Sequence, residues 1–242
     1  MSQYEVLNSE KHRQMRVKTG YGAALGDAVM YAMTYPMEFR DIQSCYPILF
    51  TKDSNTGGFF AAAILGFEAD QNLFLRDGDW DAAYVPALVQ RQPFLISKSR
   101  ESDTRPPVVS IDLDNPRVSQ DEGEALFDSA GEPSEFLKQK IALLDKLHRG
   151  LQHGSGFIDT LLQHELLEQI AFDIVFNDGS KKTLQGFYSI AEERLYQLKG
   201  DVLESLNQAG YLQPVFMAVA SLSRVRDLIE RRNRLQVSQA AG

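Results

Sequence analysis

Residues 169–190 read QIAFDIVFNDGSKKTLQGFYSI, and this stretch decides the fold class. Ile170, Phe172, Ile174 and Phe176 recur at every second position, which places all four on one face of an extended chain. Asn177-Asp178-Gly179 follows, and these are the residues that tolerate the backbone of a tight turn. Thr183 to Ile190 then returns as a second strand. A connection this short can join only antiparallel strands, so the segment predicts a β-hairpin.

Similar signals flank it on both sides. Ile48 to Thr51 and Phe59 to Phe67 are apolar runs around the dense turn Asp53-Ser54-Asn55-Thr56-Gly57-Gly58, which predicts a second hairpin. Phe94 to Ser97 and Val108 to Ile111 are further strands, and Asn72 to Leu75 is a short one. Tyr84 to Gln92 reads as a helix with Pro86 in its first turn. The first twenty residues look like an irregular polar arm.

Helices gather towards the end. Ser134 is a good N-cap, and Phe136, Ile141, Leu144 and Leu147 carry a helix to about Leu151. Gly154-Ser155-Gly156 is expected to interrupt it before a second helix from Phe157 to Leu167. Glu192 to Leu198 and Val202 to Ala209 are helical, with Gly210 as the terminating residue. Val215 to Leu235 reads as one final helix with Pro214 at its entrance. The expected class is α+β: mostly antiparallel hairpins in a mixed or antiparallel sheet, with helices concentrated in the C-terminal half. Parallel βαβ units would need a regular strand–helix alternation that the first half lacks. A single domain over 1–242 is expected, with any internal boundary in the acidic, Pro- and Gly-containing connection 112–133.

Charge narrows the function. The 242 residues carry a net charge of −8. Residues 101–135 hold ten acidic and two basic side chains, whereas 213–242 hold five arginines against Asp227 and Glu230. A chain so balanced lacks the basic face that phosphate neutralisation requires, which argues against nucleic-acid binding. No apolar run reaches the ~18 residues of a membrane span, and none near the start has the length of an export signal. The lone Cys45 fits a reducing compartment, and a cytoplasmic location is expected.

Catalytic motifs are few. His148, His153 and His164 fall close together, and Glu165 or Glu168 could add a carboxylate if the glycines folded the helix into a hairpin. They are weak metal candidates, because no HExxH spacing accompanies them. Solvated or core histidines are the plainer reading, and neither a metal nor another cofactor is expected. Asp77-Gly78-Asp79-Trp80-Asp81 alternates acids as a calcium loop does, but Ala82 and Leu88 stand where glycine and glutamate are needed. No nucleophile elbow, Walker loop or dinucleotide fingerprint occurs.

Two stretches suit binding. Trp80, Tyr84, Arg91 and Phe94 concentrate the only tryptophan, two more rings and an arginine in fifteen residues. Such clusters serve binding surfaces, although core packing is the favoured reading for rings of this size. Arg231, Arg232 and Arg234 lie on the last helix beside a narrow stripe of Leu222, Val225, Leu228 and Ile229. The bland reading is a surface helix with a basic outer face. The sharper one is a docking helix for an acidic partner or for the acidic segment of a second copy.

An ordered set of phrases resembles the bacterial SapC family. It runs from Leu7-Asn8-Ser9-Glu10-Lys11-His12-Arg13 through Tyr46-Pro47-Ile48-Leu49-Phe50 and Leu65-Gly66-Phe67. Trp80-Asp81, Tyr84-Val85-Pro86-Ala87 and Arg91-Gln92-Pro93-Phe94 continue it. Gly123-Glu124-Ala125-Leu126-Phe127, Gly186-Phe187-Tyr188-Ser189-Ile190 and Gly210-Tyr211-Leu212 complete it. The family is named for surface layers, and some members carry a peptide-transport label that a chain without a span does not suit. The resemblance implies a gene neighbourhood of halogenase-like and oxygenase-like enzymes, hence a role in peptide or small-molecule modification or handling. It supplies no catalytic residues.

The expectation is therefore a cytoplasmic binding or accessory protein. Its partner would be a halogenase-like or oxygenase-like enzyme, or a second copy in a homo-oligomer. The alternative is an enzyme whose site assembles from distant residues, His148, His153, His164 and Glu165 among them, with Cys45 a remote outsider.

Overall fold

The computed structural model describes residues 3–97 and 108–240. Residues 101–107 of the acidic window therefore lie outside the described residues. The chain divides into two compact units. The first comprises 1–28, 75–81 and 87–149; the second comprises 29–74, 82–86 and 150–242.

The second unit holds the expected hairpins. Strands Leu167–Val175, Lys181–Ile190, Ile48–Lys52, Phe59–Ile64 and Tyr31–Thr34 lie side by side in that order, all neighbours antiparallel. Gly179 makes the first turn at φ 81°. The register slips between Ile170 and Phe172, which pair with Phe187 and Leu184. The extra residue falls beside Gly186, whose φ of 85° suits a bulge that only glycine enters without strain. One face of the sheet is covered by helix. Phe157 is fully buried there, with its ring 5.8 Å from Phe39, 6.4 Å from Phe50 and 5.4 Å from Tyr211. Burying a ring of this size stabilises by about 1.5–3 kcal/mol.

The helices differ from expectation at two places. A single helix runs over Glu135–Gln163, straight through Gly154-Ser155-Gly156. Ser134 caps it, its Oγ accepting from Leu137 N at 3.2 Å. Neighbours pack close on these glycines, tightly at Gly156 and at ordinary contact distance at Gly154. A Cβ on Gly154 would lie 3.4 Å from Pro36 Cδ, and one on Gly156 only 2.5 Å from the Tyr211 hydroxyl oxygen. Conversely, the expected final helix is two, Leu212–Ser221 and Arg224–Ala240. The break follows from two serines. Ser221 Oγ donates to Ala218 O at 2.6 Å and accepts from Ile48 N at 2.8 Å, while Ser223 Oγ donates to Ala220 O at 3.0 Å. Such back-bonding competes with the helical ladder. Helix Gly200–Gln208 ends as expected at Gly210, with Tyr211 N bonded to Leu206 O and Gly210 N to Asn207 O.

The first unit contains smaller sheets. Tyr4–Val6, Val108–Asp112 and Phe94–Ser97 form one, with Val108–Asp112 in the middle. Arg16–Val17 pairs with both Val118–Ser119 and Glu124–Ala125. The N-terminal arm is thus woven into sheets rather than irregular, and 112–133, the expected place for a boundary, lies inside this unit because its strands flank Arg16–Val17. The core comprises Val17, Phe94, Ile111, Leu126, Phe127, Leu137 and Leu144. Tyr84 to Gln92 is helical only over Ala87–Gln90. Asn72 to Phe74 is not strand; Leu75–Arg76 is, paired with Asp79–Trp80.

Among the described residues no helix is long and apolar enough to cross a membrane.

Candidate functional site

A mostly apolar groove of about 330 Å³ lies in the second unit. Three chain segments build it: Met33 to Pro36, Gly58 to Ala61, and the helical face of Leu151, Gly154, Phe157, Ile158, Asp159 and Leu162, in which Asp159 is the one charged side chain among the described lining residues. Edge strand Tyr31–Thr34 alternates, so Ala32 and Thr34 turn inward while Tyr31 and Met33 stay exposed. Thr34 stands opposite Ala61 in the neighbouring strand, and the small alanine leaves the space open. Gly150 and Gly154, one turn apart on the helix, let Tyr35 and Pro36 approach the backbone. Leu151 and Leu162 are 39% and 44% exposed, which marks the rim.

Behind the apolar wall lies a polar network. Glu38 is 2% exposed. Its Oε2 accepts from Thr34 Oγ1 at 2.7 Å and its Oε1 from the Tyr84 hydroxyl at 2.9 Å. A buried carboxylate requires such donors, since an unpaired charge is costly to desolvate. Tyr46 donates in turn to the carbonyl of Tyr84, which holds that loop in place. Tyr35, itself 2% exposed, has a buried hydroxyl with no hydrogen-bond partner among the described residues. Burial, and after it the nearby charges of Glu38 and Asp41, push the Tyr35 phenol well above its ordinary pKa. Burial and then Glu38 do the same to Tyr84. Both phenols are therefore neutral donors at physiological pH. Of this set, Thr34 and Tyr35 also line the groove.

Of the residues singled out from sequence, Tyr84 is in this network. The other three of its cluster belong to the first unit. Trp80 is 8% exposed, edge-on to Tyr21 at 5.4 Å. Phe94 is fully buried in the core, and half-buried Arg91 donates to its carbonyl at 2.6 Å. Arg231 lies over the Phe74 ring at 4.3 Å and Arg232 over Phe176 at 5.3 Å, so both are engaged within their own unit. Arg234 is exposed, with Nε 3.4 Å from Glu230 O. The narrow apolar stripe faces inward at Leu228, 1% exposed.

The histidines do not converge. His153 and His164 lie eleven residues apart along a continuous helix and its end, about 16 Å of rise. The His153 ring packs 5.1 Å from Tyr211. His148 is half-buried on the part of the helix that belongs to the first unit. Glu165 pairs with Arg194. Cys45 is half-buried, its Sγ 3.4 Å from Ser44 Oγ. Among the described residues no group of three His, Cys, Asp or Glu could hold a metal ion.

Sequence reasoning missed Thr34, Tyr35 and Glu38, having read Tyr35-Pro36 only as a breaker. The available signal was the spacing of Thr34 and Glu38, four residues apart across a turn that proline initiates.

The family model described as SapC matches residues 7–228. The chain belongs to the SapC family. No curated protein and no solved structure matches it. The SapC match therefore spans both units and includes all three segments of the groove.

Proposed function

We propose that this SapC-family chain is a binding or accessory protein, and that its second-unit groove takes an apolar ring or side chain of a peptide or small molecule. The observation that carries this reading is an apolar groove of about 330 Å³ lined in part by Tyr35, whose buried hydroxyl has no hydrogen-bond partner among the described residues. Ligand sites of this kind are typically ~300–1,000 Å³, mostly apolar, with a few placed polar groups. The ligand would bury its ring against Phe59 and Phe157 and accept a hydrogen bond from Tyr35. The protein would work in the cytoplasm without a cofactor of its own, presenting the ligand to a halogenase-like or oxygenase-like partner or acting as a homo-oligomer.

The test is titration of the purified chain with the hydrophobic fluorophore anilinonaphthalene sulfonate, alongside native mass spectrometry of freshly purified protein. Leu151→Glu and Leu162→Glu place charge at the exposed rim. Each is expected to weaken binding about tenfold or more while stability stays within about 0.5 kcal/mol. Unchanged affinity in both variants would remove the groove as the site.

A further inference from the structure

The first unit contains a smaller cavity, of about 30 Å³, whose lining includes Lys18, Tyr21, Gln90, Gln92, Arg117 and Lys140. The described lining carries three cationic side chains and no carboxylate, in a chain whose net charge is −8. Asp27 and Glu122 offset two of the three cations from outside the cavity. Asp27 accepts from Arg117 Nη2 at 2.8 and 2.6 Å, and Glu122 lies 2.8 Å from Lys18 Nζ at the surface.

Lys140 is the cation left over. Its Nζ donates to the carbonyl of Gln90 at 2.6 Å and lies 5.2 Å from the centre of the Phe136 ring, but pairs with no carboxylate among the described residues. Burial, and then the charge of Arg117, make it less basic than an ordinary lysine. Arg117 is 3% exposed, with Nη1 donating to Gly20 O at 2.6 Å and Lys18 O at 3.2 Å. Its Nε is buried without an acceptor among the described residues. The Tyr21 ring covers the guanidinium at 5.4 Å, which shields it from water.

A buried N–H without an acceptor and a half-buried ammonium without a carboxylate are both favoured by a negative atom placed between them. A cavity of about 30 Å³ has room for roughly two water-sized groups. We propose that this cavity is a small-anion site: it takes a halide, or one oxygen of a carboxylate or phosphate group, held by Arg117 Nε–H and the Lys140 ammonium. The site is separate from the apolar groove and does not depend on it.

The experiment follows the Arg117 Nε–H resonance of the full chain while sodium chloride, sodium acetate or sodium phosphate is added. Ionic strength is held constant with the bulky 2-(N-morpholino)ethanesulfonate anion, which is neither a halide, a carboxylate nor a phosphate. A saturable shift with at least one of the three is expected. Response to chloride assigns a halide; response only to acetate or phosphate assigns the oxygen of a larger oxyanion. Lys140→Met should weaken the affinity about tenfold or more, and Lys140→Arg should restore most of it. Lys18→Gln, at the more exposed side, should weaken it severalfold and serves where Lys140→Met impairs folding. No saturable shift with any of the three salts, as a resident water would give, overturns the proposal. So does equal affinity in wild type and the folded lysine variants.

Discussion

Gly150 lies against the ring of Tyr35: a Cβ on this glycine would fall 2.1 Å from Cε2 and 2.3 Å from Cδ2. Tyr35 is 2% exposed, so most of its ring is enclosed by neighbours and cannot shift freely. The contact ties the long helix to the segment that carries Thr34, Tyr35 and Glu38, and so sets one wall of the groove.

Gly150→Ala is therefore expected to destabilise, although alanine is the better helix former by about 1 kcal/mol. Overpacking typically costs ~1–3 kcal/mol, and here it must also overcome that propensity gain. A net loss of up to about 2 kcal/mol in urea unfolding is expected. Gly200→Ala is the control, since a Cβ there meets nothing within 4 Å, and it should be neutral or slightly stabilising. A Gly150→Ala protein as stable as wild type would mean the ring does not press on the helix.

The two phenols beside Glu38 should answer differently to loss of their hydroxyls. Tyr84→Phe removes the donor at 2.9 Å from Glu38 Oε1 and should cost about 1–3 kcal/mol, as for a buried charge deprived of a hydrogen bond. Tyr35→Phe removes a hydroxyl that has no partner among the described residues, so stability should hold or rise. If Tyr35 serves the ligand, the same change lowers ligand affinity. Equal destabilisation by both variants would show that Tyr35 is bonded like Tyr84.

Alkaline pH should unfold the protein partly through these same groups. Both phenols have higher pKa values folded than unfolded. Above the ordinary phenol value of about 10 the unfolded chain loses these protons while the folded chain keeps them. Their contribution is thus complete below about pH 10 and is lost progressively as pH rises beyond it. The difference in melting temperature between wild type and the Tyr35→Phe/Tyr84→Phe double variant, followed with tyrosinate absorbance, isolates the effect. The gap should narrow or change sign in the variant's favour above that pH; a gap independent of pH would contradict it.

Local chemistry alone determined a good part of this fold. The alternation of Ile170, Phe172, Ile174 and Phe176 with Asn177-Asp178-Gly179 required the hairpin, because period-2 burial and turn backbone are properties of neighbouring residues. Ser134 as N-cap and Gly210 as terminator were legible for the same reason. The family was legible too, in the order of short phrases along the chain. Only the tertiary structure decided what Gly150, Gly154 and Gly156 are for. Propensity reads a glycine cluster as a helix break, whereas here Tyr35 and Tyr211 approach Gly150 and Gly156 more closely than a side chain would allow. The same holds for Glu38 and Tyr84, 46 residues apart and joined by one hydrogen bond. A groove assembled from three separated segments has no period and no motif. Its apolar walls look like core in sequence, and the space between them exists only once the chain has folded.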